Sequence, residues 1–133
     1  MRKTAVSHFV VWLDSNEARI FTFGGDSVTE TSVHSLRENH PHRHPKDGLT
    51  RVHEHPDDDA RYFIDVAGAL TGEGRILIVG PGAAKLHFLR HAQAHNPALE
   101  ARVAGIETVD HPTDRQIIAY ARQYFARELS PAR

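Results

Sequence analysis

The stretch SHFVVWLDSNEARIFTFGGDSVTETSVH, residues 7–34, decides the fold, because it contains three strand-like runs and two tight turns. Residues 7–13 are apolar and rich in β-branched and aromatic types, the composition that suits a pleated, buried surface. Asp14, Ser15 and Asn16 then form a turn, since their short polar side chains bond the neighbouring backbone. Residues 18–23 resume strand character, and Gly24, Gly25 and Asp26 supply the second turn. In residues 27–34 the side chains alternate, Val28, Glu30 and Ser32 against Thr29, Thr31 and Val33, which fits a strand with one wet face at a sheet edge. Two turns this short between three strands imply an antiparallel meander.

Beyond it the pattern changes. Residues 35–56 are polar, carry prolines at 41, 45 and 56, and show neither a two-residue nor a 3.6-residue apolar period. A stretch of this length in a compact domain is usually functional or without fixed structure. Asp57, Asp58 and Asp59 are expected to cap a helix whose buried stripe is Phe63, Val66, Ala67 and Leu70. Residues 71–74 end that helix, and residues 75–79, RILIV, read as a central strand. The GPG at 80–82 turns the chain into a helix over about 83–95, with Leu86, Leu89 and Gln93 on one line. A strand over 102–109 follows. A last helix opens at Pro112–Thr113, where Thr113 and Gln116 match a capping box, and its stripe is Ile117, Ile118, Ala121, Phe125 and Leu129.

The order β-β-β-α-β-α-β-α predicts an α/β (mixed α+β) domain. Its five-stranded mixed sheet has three antiparallel strands, and helices cross over on its faces. The 133 residues fit one domain, spanning 1–133, with a His-rich loop at about 36–57. No apolar run approaches about 18 residues, so no membrane helix is expected. The chain has no cysteine, which excludes disulfides, thiolate metal sites and cysteine nucleophiles. Its formal charge of −1 does not mark a nucleic-acid binder, although eleven histidines would make it cationic in mild acid.

The polar stretch allows more than one chemistry. His40, His42, His44, His53 and His55 could ligate zinc or another divalent transition metal, because His-x-His on an extended segment points both imidazoles to one side. The prolines oppose that, since polyproline II has a period of three. Arg37, Arg43, Lys46 and Arg51 could instead neutralise RNA phosphates, with Glu38, Asp47 and Glu54 offsetting them. RNA affinity carried by these histidines would rise below about pH 6.5. Asp14, Asp65 and Asp110 are the carboxylates a two-metal nuclease would need, on a sheet order shared with ribonuclease H-like folds. His87, His91 and His95 share a helix face but lack the glutamate of His-Glu-x-x-His. The GPG is far short of a phosphate-binding fingerprint and reads as a strand-to-helix turn.

The element order and four pieces of sequence carry a resemblance. They are VVWLDSNEARIFTF, ARYFIDVAGAL, GRILIVGPGAAKLHFLRHAQAHNPAL and IETVDHPTDRQIIAYARQYF. Together the chain resembles the middle domain of archaeo-eukaryotic peptide release factors and of Pelota, and especially bacterial single-domain relatives described as translational machinery proteins. In release factors the loop at this position carries Gly-Gly-Gln. Here it has Gly48 as its only glycine and no glutamine, so the resemblance does not bring peptidyl-tRNA hydrolysis with it. It implies a cytoplasmic, non-enzymatic factor without a cofactor. Such a factor would bind the ribosome or tRNA in rescue or stress, with Arg37, Arg43, Lys46, Gly48 and Arg51 at the contact. The other two domains of those factors have no counterpart in 133 residues, and a homo-oligomer is compatible with the exposed third-strand edge.

Overall fold

The computed structural model describes residues 8–25, 27–35 and 56–129. Nine elements follow one another among them: β1 (His8–Leu13), β2 (Glu17–Gly24), β3 (Ser27–His34), α1 (Pro56–Gly68), β4 (Arg75–Gly80), α2 (Ala84–His95), α3 (Pro97–Glu100), β5 (Val103–Thr108) and α4 (Asp114–Leu129). The five strands form one mixed sheet in the order β3-β2-β1-β4-β5. The β3-β2-β1 part is antiparallel, and β1-β4-β5 is parallel. The meander, the crossovers and the edge position of β3 follow the expectations drawn from residues 7–34.

β1 and β4 sit at the centre, and their sequences HFVVWL and RILIVG are apolar without alternation because both faces are covered. On one face Val11, Leu13, Ile20, Ile76 and Ile78 pack with Tyr62 and Val66 of α1, Leu70 in the turn that follows it, Phe88 and Ala92 of α2, and Leu99 of α3. On the other, Val10, Trp12, Phe21, Leu77 and Val79 pack against Ile117, Ala121 and Phe125 of α4. Each of these larger side chains contributes roughly 1.5–3 kcal/mol by leaving water.

Two local expectations are corrected. The buried stripe of α2 is Lys85, Phe88 and Ala92; of the expected line, Leu89 packs partly buried against the core, whereas Leu86 is 47% exposed. The line through 86, 89 and 93 lies one residue, about 100°, around the helix from the line that buries Phe88. Lys85 tolerates burial by laying its aliphatic stem under the helix while its ammonium donates to the Gly82 carbonyl oxygen at 2.5 Å. The second correction is α3, which sequence reading leaves out. Asn96 accepts from the Leu99 N–H at 3.2 Å, and Pro97 occupies the first helical position, so four residues make a separate turn. The start of α1 at Pro56 lies within one residue of the expected start at Asp57–Asp59 and places those three acids in its first turn.

The final helix matches its reading closely. The Gln116 N–H donates to Thr113 Oγ1 at 3.1 Å, and the Thr113 N–H donates to Gln116 Oε1 at 2.9 Å. That reciprocal pair is the capping box. Ile117, Ala121 and Phe125 are buried as expected, and Ile118 is partly buried. No helix among the described residues is long and apolar enough to cross a membrane.

Candidate functional site

The parallel strands β1, β4 and β5 all end at the same edge of the sheet, the edge where ligands bind in open α/β folds. The β1–β2 turn there is held by Asp14. Its Oδ1 accepts from the N–H groups of Asn16 and Glu17, each at 2.9 Å. Its own N–H donates to the Glu17 carbonyl at 3.0 Å. Two elements dock on this turn. The N–H of Ser35, a buried residue, donates to the Asn16 carbonyl at 2.8 Å. The Tyr62 hydroxyl, on α1, donates to the Asp14 carbonyl at 2.8 Å. The chain therefore leaves the sheet at Ser35 and re-enters through α1 at one place.

Between that turn and the first turns of α1 and α2 lies an open groove of about 320 Å³, lined by Ser15, Asp59, Tyr62, Phe63, Ala83, Ala84 and His87. The turn from β4 into α2, whose first residues line the groove, depends on Gly80. A Cβ at Gly80 would collide with the Leu13 carbonyl oxygen, so only glycine lets β4 turn into α2 beside the end of β1. Gly82 carries no such constraint, because nothing lies near the position of its Cβ.

The other side of the edge is a buttress. The Trp12 indole N–H donates to the Asp110 carbonyl at 2.8 Å. The Arg19 guanidinium lies 4.6 Å from the Trp12 ring centroid and bonds Asp114 at 2.6 Å. His111 bridges Asp14, at 3.9 Å, and Asp110, at 3.0 Å, and its ring lies 5.3 Å from that of Trp12. These contacts fix the β5–α4 turn against the β1–β2 turn.

The loop expectations, Arg37, Arg43, Lys46, Gly48 and Arg51 for RNA and His40, His42, His44, His53 and His55 for metal, lie outside the described residues. The nuclease carboxylates do not converge. Asp14 is spent on its turn, Asp65 is exposed on α1, and the Asp110 side chain is 93% exposed. Among the described residues no three His, Asp or Glu side chains gather as a metal site. The histidine line of α2 is divided. His87 faces the carboxyl-edge groove, whereas His91 and His95 pair with ring centroids 4.7 Å apart beside Ile64, Ala67 and Asn96. Burial, with His95 adding to it, lowers the pKa of His91 below the ordinary imidazole value.

Tyr62, Trp12, Arg19 and His111 were not singled out by sequence reading. Strand alternation could have placed Trp12 and Arg19. They are cross-strand partners in the β1–β2 register, and both project to the α4 side.

No protein-family model matches the chain, and no curated protein matches it in sequence. Solved structures do. The chain is similar to the Thermoplasma acidophilum Pelota protein, at 21% identity and a TM-score of 0.63 over 93% of this chain and 34% of that one. It is similar to Archaeoglobus fulgidus Pelota at 15% identity and a TM-score of 0.64, over 94% and 33%. It is also similar to an archaeal translation termination factor at 11% identity and a TM-score of 0.52, over 92% and 39%. The chain spans between a third and two-fifths of the length of these proteins, and what it shares with them is the fold: a mixed five-stranded sheet with helices on both faces.

Proposed function

We propose that the protein is a translation-associated factor that binds the ribosome or tRNA through residues 36–57, without hydrolysing peptidyl-tRNA. The observation that carries this reading is the common root of that stretch. Ser35 before it and α1 after it both dock on the 14–17 turn, at the carboxyl edge of the parallel strands and beside the groove that holds His87. The stretch that follows Ser35 carries Arg37, Arg43, Lys46 and Arg51, four cations of the kind that neutralise phosphates. Gly48 is the one glycine of the stretch. The likeness of fold to Pelota and to a translation termination factor supports the same reading, and the absence of Gly-Gly-Gln argues against an ester-hydrolysing role.

Co-sedimentation of the purified chain with ribosomes, and binding to labelled tRNA, at low and moderate salt tests the proposal. Association that weakens as salt rises is expected, because phosphate contacts release counterions. No association with either at low salt overturns it. Elemental analysis of the untagged protein tests the metal alternative. Stoichiometric zinc that is lost when His40, His42, His44, His53 and His55 become alanine would replace the RNA reading with a metal-binding one.

A further inference from the structure

α2 carries His91 and His95 four residues apart, so their side chains lie one above the other on the same helix face. The ring centroids are 4.7 Å apart and the ring planes differ by 43°, so the rings are tilted rather than stacked. Among the described residues neither imidazole has a hydrogen-bond or ion-pair partner. Phe63 of α1 lies 5.6 Å from the His91 ring and limits its rotation. Both rings line an open groove of about 280 Å³ between α1 and α2, and its other walls include Ile64, Ala67, Phe88 and Ala92.

The ring separation fits chelation. An imidazole nitrogen binds zinc at about 2.0–2.1 Å and lies about 1.2 Å from its own ring centre, so two imidazoles meeting at about 90–109° have centroids about 4.5–5.4 Å apart. The 4.7 Å between His91 and His95 falls inside that range. Spacing along the helix makes His87 and His91 an equal pair in sequence, but the structure separates them. His87 lines the carboxyl-edge groove with Ser15 and Tyr62, and the imidazole that meets His91 is that of His95.

We propose that His91 and His95 form a two-imidazole site for a divalent late transition-metal ion, of the copper, nickel and zinc class, in the α1–α2 groove. The site stands apart from the histidines at 40–55 and from any contact those residues make. Burial first, and His95 second, favour the neutral form of His91, the form that offers a lone pair to a metal. Nitrogen donors of this kind rank copper above nickel and zinc, and they leave magnesium and calcium, which take oxygen ligands, unbound. An ion held by two side chains keeps its other positions for water or an external ligand. Neither ring is supported by a carboxylate among the described residues, so the bound ion exchanges readily.

The test uses the full chain with His40, His42, His44, His53 and His55 changed to alanine, which removes competing imidazoles. Calorimetric titration with Cu²⁺ is expected to show saturable binding, with Ni²⁺ and Zn²⁺ weaker and Mg²⁺ silent. Paramagnetic Cu²⁺ is expected to broaden the ring-proton NMR signals of His91 and His95 before those of His8, His34, His87 and His111. His91→Gln and His95→Gln are each expected to weaken Cu²⁺ binding by at least about ten-fold, a loss that removing a ligand's support alone can cause. His95 is exposed, so its variant keeps the fold and decides the matter if His91→Gln fails to fold. His87→Gln is expected to leave the affinity unchanged. No saturable Cu²⁺ binding, first broadening at other histidines, binding indifferent to His95→Gln, or an equal loss with His87→Gln would each overturn the proposal.

Discussion

Replacing Gly80 with alanine isolates the packing of the turn that leads from β4 into α2. The new Cβ would meet the Leu13 carbonyl oxygen, with the Leu13 carbonyl carbon and nitrogen next nearest. All three are backbone atoms of a fully buried residue on the central strand, so no side chain can swing aside. β4 must therefore move, and with it the bond from the Val109 N–H to the Gly80 carbonyl, 3.1 Å long, that ties β5 to this corner. Overpacking of this kind costs about 1–3 kcal/mol, and a backbone obstacle favours the upper half of that range. Gly82→Ala, two residues away in the same GPG, meets nothing and lacks a positive φ, so it is expected to be neutral or stabilising by up to about 1 kcal/mol. Urea unfolding followed by far-ultraviolet circular dichroism reads both variants. With a denaturant slope of about 1–3 kcal/mol per molar, the Gly80 variant should lose about 1 M in midpoint. A Gly80→Ala protein within about 0.5 kcal/mol of wild type would refute the close approach of β1 and β4 at this corner.

Thr113→Ala should cost about 1 kcal/mol in the same unfolding assay by removing one half of the capping box, and an unchanged midpoint would contradict the cap. The Tyr120 hydroxyl donates a hydrogen bond to Glu107. That bond, with burial adding to it, pushes its pKa up to about 12. The folded state thus holds this proton more tightly than the unfolded chain. Its contribution is complete below about pH 10 and lost as pH rises towards 12. Near-ultraviolet titration should show one of the three tyrosines ionising late, and Glu107→Gln should bring it forward. His91, lowered by burial first and His95 second, works in the other direction. Its stabilising effect is present above about pH 6.5 and lost as pH falls through its folded-state value. Proton NMR should place its midpoint below that of a free imidazole, and His95→Gln should raise it.

The sheet was legible because residues 7–34 carry both turns and strand composition at close spacing, and because RILIV is bracketed by glycine. The α4 stripe was legible because Ile117, Ala121 and Phe125 repeat at helical intervals around a capping box. The α2 stripe was misread by one position, because the line through Leu86 and Leu89 lies one residue on from Lys85 and Phe88, and only Leu89 of the two packs against the core. Hydrophobicity alone does not say which line a neighbouring sheet will take, and a buried lysine disguises the correct one. α3 escaped because four residues give no period, only the Asn96–Pro97 start signal. At the candidate site the Asp14 turn was readable from Asp-Ser-Asn. The docking of Ser35 and Tyr62 on it was not, since both contacts join residues distant in sequence. Trp12, Arg19 and His111 gather only once β1, β2 and the β5–α4 turn are assembled.

The central claim is that cations at residues 37–51 hold the protein to RNA. The direct measurement is the salt dependence of ribosome affinity for wild type and for the variant with Arg37, Arg43, Lys46 and Arg51 all changed to alanine. Four phosphate contacts should contribute about three units to the slope of log affinity against log salt. The variant is expected to lose most of that slope and to bind weakly at every salt concentration, while its urea midpoint stays at the wild-type value. A variant that sediments with ribosomes as well as wild type, with the same slope, would contradict the account.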